Sequence, residues 1–305
     1  MNDYVLAFDV GGSHIAAGAC RLPGLALGAM QSIAIEKPGS LLQFLATFAS
    51  LSELTLPPAA SLAGVSIAMP NPFDYGRGIS YMRHKYEYLY GIELRSKLSQ
   101  TLGCRPGNIE FLNDAAAFLT GELRQGAGTG VNRVVGITLG TGVGSAFASS
   151  GKIVTEGRGV APGGEIWNLS YRDGIVEKFV SMAAIQDMYK EKTGQWEEVE
   201  VIANHSQTNL AARQTFEQFG KELGRVLRAT CTGFEPERII LGGGISRSAS
   251  LFLPSAEQEL LGLGMQVCVS ELGERAPLIG AAADWMKNHG NISGVHDSTR
   301  AVEEA

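Results

Sequence analysis

Residues 4–20 read YVLAFDVGGSHIAAGAC, and residues 134–149 read VVGITLGTGVGSAFAS. In each stretch a short apolar run meets a tight glycine turn and apolar residues then resume, the pattern of strand, turn, strand. Tyr4 to Phe8 and Ile15 to Cys20 form the first pair. Val134 to Leu139 and Ser145 to Ser149 form the second, about 130 residues later, and such an echo predicts a duplicated domain. Between and beyond them, Leu41, Leu42, Phe44, Leu45, Phe48 and Leu51 recur at helical spacing, and Leu62 to Ala68 return as a strand. Residues 91–102 predict a short helix, Ile109 to Leu112 a strand, and Asp114 to Gln125 a helix capped by Asn113 or Asp114. Phe216, Phe219, Leu223, Val226, Leu227 and Thr230 mark an amphipathic helix ahead of a strand, Arg238 to Leu241, that runs into three glycines. Alternating strands and helices predict an α/β fold. Apolar periodicity is lost from Asn288 to Ala305, so a free tail is expected.

Composition bounds the function. The 305 residues suit two domains by the usual prior of roughly 150 residues each. With 45% hydrophobic and 18% charged residues, the body of the chain is not of the disordered class. Lys plus Arg number 25 against 31 Asp plus Glu, a net charge of -6 and the wrong sign for a broad nucleic-acid-binding face. No apolar run approaches the ~18 residues of a membrane span, and the opening lacks the basic region of a secretory signal. The four cysteines are scattered, with no CxxC pair, so zinc is not expected and a reducing cytoplasm is. Glycine stands out at 39 residues, about 13% where ordinary usage is near 7%. It gathers at the ends of apolar runs, where it lets backbone turn sharply and approach a ligand.

Asp9-Val-Gly11-Gly12-Ser13 offers backbone N–H groups and a hydroxyl to a phosphate, and Asp9 at the strand end suits a water-bridged Mg2+. A plain hairpin turn uses the same residues. Gly140-Thr141-Gly142-Val-Gly144 is a second such turn, but it is followed by a strand and so is not the dinucleotide fingerprint, which opens a helix. No GxxxxGK[ST] loop occurs. Gly242, Gly243 and Gly244 let an adenine ring lie on bare backbone, or let a helix pack closely. Asn113-Asp114 puts a carboxylate at a strand end, as a general base or as a helix cap. Glu165, in a glycine-rich loop, and Glu177 add acceptors of the kind that vicinal sugar hydroxyls require. Phe73 to Tyr90 holds five of the eight tyrosines, interleaved with basic residues, and suits stacking on bases or sugars or a subunit interface.

The order of these pieces closely resembles the ROK family of sugar kinases, from Val5 to about Ala283. The resemblance implies a duplicated actin-like, ribonuclease-H-like ATPase fold with ATP and sugar meeting in an interdomain cleft. Residues 1–115 would form the first domain and 116–276 the second, with a helix around 277–290 packing back on the first and 291–305 a flexible tail. Asp9, Gly11, Gly12 and Ser13, with Gly140, Thr141 and Gly142, would be the phosphate loops, and Gly242, Gly243 and Gly244 the adenosine contact. Asp114 would be the catalytic base, and Asn71, Asn113, Asp114, Glu165, Asn168 and Glu177 the sugar contacts. ATP and Mg2+ would be the cofactors, a hexose the substrate phosphorylated at its primary hydroxyl, and a cytoplasmic homodimer the assembly.

The departures matter too. The family often writes Gly-Glu-x-Gly-His and then a CxCGxxGCxE zinc cluster, whereas this chain has Gly164-Glu165-Ile166-Trp167-Asn168 and no such cysteines. Asn71 stands where the family usually has glycine, and His14 where it commonly has lysine. Family repressors carry an N-terminal helix-turn-helix, for which nothing before Asp9 leaves room. A non-catalytic sugar or sugar-phosphate sensor and an actin-fold ATPase acting on another acceptor are the rival readings. The identity of the sugar and polyphosphate as donor stay open.

Overall fold

The computed structural model describes residues 3–35, 39–83 and 85–290; the tail expected from 291 lies outside them. The chain opens with β1 (Asp3–Val10), β2 (His14–Arg21) and β3 (Ala26–Ala34), then α1 (Leu41–Thr55) and β4 (Ser61–Met69). A small hairpin, β5 (Phe73–Asp74) and β6 (Ile79–Ser80), precedes α2 (Leu94–Leu102), β7 (Ile109–Asn113) and α3 (Asp114–Gln125). Next come β8 (Arg133–Leu139), β9 (Val143–Ser149), β10 (Lys152–Val154) and a second hairpin, β11 (Ser170–Tyr171) with β12 (Gly174–Ile175). The remainder is α4 (Met182–Thr193), α5 (Val199–His205), α6 (Leu210–Cys231), β13 (Arg238–Gly242), α7 (Ala249–Glu259), β14 (Gln266–Val269) and α8 (Ala276–His289).

These strands build two five-stranded sheets, ordered β3-β2-β1-β4-β7 and β10-β9-β8-β13-β14. In both, the first three strands in sequence meander antiparallel and the last two join in parallel. The echo between residues 4–20 and 134–149 is therefore a repeat of topology. The exposed edge strand β3 and the short β10 escape pattern reading, since neither carries the apolar run of a buried strand.

Period-two alternation decides which layer each residue joins. Leu6, Phe8 and Val10 of β1 face a core with Phe44 and Phe48 of α1, whereas Val5 and Ala7 face Leu278, Ala281 and Trp285 of α8. The second sheet repeats this: Val135, Ile137 and Leu139 of β8 pack with α6, and Val134 packs with Phe118 and Leu119 of α3. Thus α8 lies on the first sheet, α3 on the second, and the two helices meet. Their crossing is set by Gly121 and Gly280. A methyl on Gly280 would overlap the Ala117 carbonyl, and one on Gly121 would overlap that of Ala276.

The obstacle at each glycine is backbone, which no rotamer change relieves. Gly280→Ala is therefore expected to lower stability by about 2 to 3 kcal/mol, measured as a lower urea midpoint with an unchanged slope.

Candidate active site

The carboxyl ends of the parallel strands converge. Asp9 is the last residue but one of β1, Met69 ends β4, Asn113 ends β7 and Leu139 ends β8, the edge at which open α/β sheets bind ligands. A cavity of about 510 Å³ lies there, of the size that takes a small ligand. Its lining includes Gly12, Asn71, Asn113, Asp114, Glu165 and Glu177 together with the turn from Gly140 to Gly144 and Gly243. The two glycine turns face one another, since a methyl on Gly12 would lie 3.9 Å from Thr141 Oγ1.

Asn113 and Asp114 divide the two roles open to them. Asn113 caps α3, its Oδ1 accepting the Ala116 N–H at 3.0 Å. Asp114, the first helical residue, accepts from the Ala115 N–H at 2.8 Å and still lines the cavity. Burial pushes its carboxyl up to about 6; the Ala115 N–H and the Lys85 ammonium oppose the shift and Glu165 adds to it. Asp9 is pushed up to about 7, by burial first and then by Asp114 and Glu274.

A chain of side-chain hydrogen bonds crosses the cavity. Asn113 Nδ2 donates to the Tyr75 hydroxyl at 3.3 Å, and that hydroxyl lies 2.8 Å from Asn71 Oδ1. Asn71 Nδ2 donates to Glu165 Oε1, and Trp167 Nε1 donates to Glu165 Oε2 at 2.9 Å. Glu165 itself is placed by local backbone: Gly163 and Gly164 both have left-handed φ, 67° and 79°, which glycine adopts without strain. Ser145 Oγ then holds the loop, donating to the Gly164 carbonyl at 2.7 Å and accepting from the Ile166 N–H at 2.9 Å.

Several expected contacts stand differently. Asn168 is exposed and does not line the cavity; Trp167, one residue earlier, does, because its indole reaches Glu165. Ser13 is exposed and lies against His14 Nδ1 at 3.1 Å. The Gly11 N–H is taken by the His14 carbonyl, and the Gly11 carbonyl accepts the Tyr86 hydroxyl. Gly242 makes room for the Phe118 ring, so its missing side chain serves helix packing, while Gly243 reaches the cavity and Gly244 is open. Glu177 lines the cavity but also accepts the Val143 N–H at 3.0 Å, bracing the second turn. Tyr75, Lys85, Tyr86 and Trp167 are the residues that sequence reading left unassigned; the crowding of tyrosines and basic residues at 73–90 was the signal for the first three. The second hairpin, β11 with β12, is tied to α6 away from the cavity: Glu222, buried, receives the Tyr171 hydroxyl at 2.7 Å and Arg172 at 2.9 Å.

The ROK family model matches residues 5–288, and the chain belongs to that family. It is 28% identical over 251 residues to a glucokinase of Thermotoga maritima, covering 72% of this chain and 78% of that protein. A β-glucoside kinase of Listeria monocytogenes is 25% identical over 93% of this chain and 97% of its own length. A ROK family glucokinase from Streptomyces griseus, solved with glucose and AMPPNP, superposes with a TM-score of 0.77 at 23% identity, over 92% of this chain and 98% of that one. Its fold is thus the duplicated α/β architecture described above. Among the described residues no helix is long and apolar enough to cross a membrane.

Asp9 and Asp114 both bind a proton more tightly in the folded chain than at the ordinary 3.8. Their stabilisation is present below that value and is lost as pH rises, through about 6 for Asp114 and about 7 for Asp9. The ligand-free protein is expected to melt at lower temperature at pH 8 than at pH 5. Asp9→Asn, which cannot ionise, is expected to flatten that difference in a thermal melt.

Proposed function

We propose that this protein transfers the γ-phosphoryl group of ATP to the primary hydroxyl of a hexose or hexose derivative, giving a sugar 6-phosphate. That it is a sugar kinase rests on its family and on relatives named as kinases. The observation that carries the finer reading is the position of Asp114, a carboxyl with its pKa near 6, between facing glycine turns and a polar group suited to vicinal hydroxyls.

The geometry suits the donor. The turn after β1 and the turn after β8 would hold its phosphates by backbone N–H groups, with Gly243 and Gly244 beside the adenosine. Asp9 also fits a cation: its carboxyl is raised by burial and by two neighbouring acids, and among the described residues no hydrogen bond or ion pair of its side chain answers that charge. Mg2+ held there through water would supply charge neutralisation on the phosphoryl oxygens. Asn71, Asn113, Glu165 and Glu177 would orient the sugar, Trp167 standing where Asn168 was expected. Asp114 accepts the proton of the attacking hydroxyl, and its place at the start of α3 favours the ionised form that this requires.

We further propose the division expected from the sequence, residues 1–115 with the helix from 277 as one unit and 116–276 as the other. Closing together, they would exclude water from the transfer. A cytoplasmic homodimer that engages no nucleic acid remains part of this reading.

The test is ADP release with Mg-ATP over a panel of hexoses, amino sugars and N-acetyl sugars. One sugar is expected to raise the rate well above the sugar-free rate. Asp114→Asn is expected to lower kcat about a thousandfold while sugar affinity changes only a few-fold. Because the base must be ionised, the wild-type rate should rise with pH through about 6 and level off above it. Wild-type turnover in Asp114→Asn would refute the assignment.

A further inference from the structure

Even with Mg2+ held at Asp9, the cavity stays acidic for the chemistry just proposed. Among the described residues that line it, Asp114, Glu165 and Glu177 are acidic and Lys85 is the only cation. Asp9 adds a further carboxylate beside Asp114. A phosphoryl group in transit spreads negative charge over three oxygens, and acids around it oppose that charge unless a positive group faces them. The first glycine turn offers none: Ser13 and His14 are exposed and outside the lining.

Lys85 is held in place from both sides. Met82 is fully buried in the core of the first sheet, and Tyr86 packs its ring on Phe44 at 5.8 Å while its hydroxyl reaches the Gly11 carbonyl. The neighbouring Arg83 is spent on the outside, where it donates to the Tyr90 hydroxyl at 2.8 Å and lies over that ring. The Lys85 ammonium makes no hydrogen bond or ion pair among the described residues, and acts on Asp114 at longer range. A half-buried cation that lines a cavity and has no hydrogen-bond or ion-pair partner among the described residues points to an anionic ligand group.

Resting on the kinase reading, we infer that Lys85 is a further catalytic residue, whose ammonium contacts the phosphoryl group as it crosses to the sugar. In that step the bond from the γ-phosphorus to the bridging oxygen breaks and its electron pair leaves with ADP. The bond from the sugar oxygen to phosphorus forms, and the hydroxyl proton passes to Asp114. Lys85 stabilises charge and takes no part in the proton transfer.

The experiment compares Lys85→Met and Lys85→Arg with the unmodified protein, using the sugar that supports turnover. Lys85→Met is expected to lower kcat about a hundredfold, with sugar affinity measured calorimetrically without nucleotide unchanged within about threefold. Lys85→Arg should recover at least a tenth of the activity. A second readout needs no turnover: the affinity for ADP with aluminium fluoride and sugar, a mimic of the phosphoryl in transit, should fall at least tenfold in Lys85→Met while affinity for ADP alone holds.

The pH profile gives a third readout. Asp114 is faced by Lys85 from the tyrosine-rich loop, Asp9 from β1, Tyr75 from the β5–β6 hairpin and Glu165 from the loop before β11. Of these the ammonium alone lowers its pKa, so the acidic limb should move to higher pH in Lys85→Met. Should that variant lose its fold in a melt, Lys85→Gln carries the same comparison. A kcat within twofold of wild type would overturn the inference. So would an effect confined to the sugar KM, which would place the ammonium on the acceptor's own groups. An unmodified protein with no sugar-dependent ADP release would instead overturn the kinase reading, and this inference with it.

Discussion

The structure depends on one close approach, that of α3 and α8 at Gly121 and Gly280. Each helix is committed to a different sheet, α3 through Phe118 and Leu119 and α8 through Leu278 and Trp285. Where they cross, backbone packs on backbone, so the separation of the two helices there is set by main-chain van der Waals contact and not by side chains that can repack. Gly64 extends the same device, giving the Trp285 indole a seat on β4. At its far end α3 is fastened by Glu122, fully buried, which accepts the Ala127 N–H at 2.8 Å and the Leu272 N–H at 3.1 Å. Asp114 opens this same helix, so the position of the proposed base is inherited from the crossing.

That rigidity supports an unfavourable arrangement of charge. Burial raises both Asp9 and Asp114, with Asp114 and Glu274 adding to the shift at Asp9 and Glu165 adding to that at Asp114. Left to folding alone, such a pair is a liability, and perturbed carboxyls of this kind cluster where a protein binds cations or moves protons. The glycine turns, a metal ion and Lys85 are the groups that would answer this charge in the proposed complex. Stability lost at the strand ends is offset by the aromatic and aliphatic cores on the outer faces of both sheets.

Much of this was legible in the sequence. Period-two and helical patterns located β1, β2, β4, β7, β8, β9 and β13 with α1, α2, α3 and α6, because each of these buries a distinct face. The local settings of Asp9, Asp114 and Glu165 were legible because each sits beside glycine or a cap whose geometry is encoded within a few residues. The glycines themselves were harder to read. Gly242 looks in sequence like Gly243, yet one takes the Phe118 ring and the other reaches the cavity. Lys85, Tyr75 and Trp167 come from irregular segments whose path is set by distant contacts, such as the Tyr86 hydroxyl on Gly11. Periodicity carries no information about such a path. Asn168 shows the same limit from the other side, since a shift of one position separates it from the cavity that Trp167 lines.

The hydrogen bond from Asn71 to Glu165 joins the segment after β4 to the loop before β11, and so spans the two repeats. A hydroxyl that comes to either group meets a partner already engaged, and binding there is an exchange of one bond for another with little net gain. An acceptor that satisfies both the amide and the carboxylate at once recovers what it displaces. One that reaches only a single group leaves the other stranded in a half-buried site, at a penalty larger than the bond it forms. In the proposed complex the pair would work as a filter on stereochemistry, passing molecules by the relative placement of two hydroxyls and not by the number they carry.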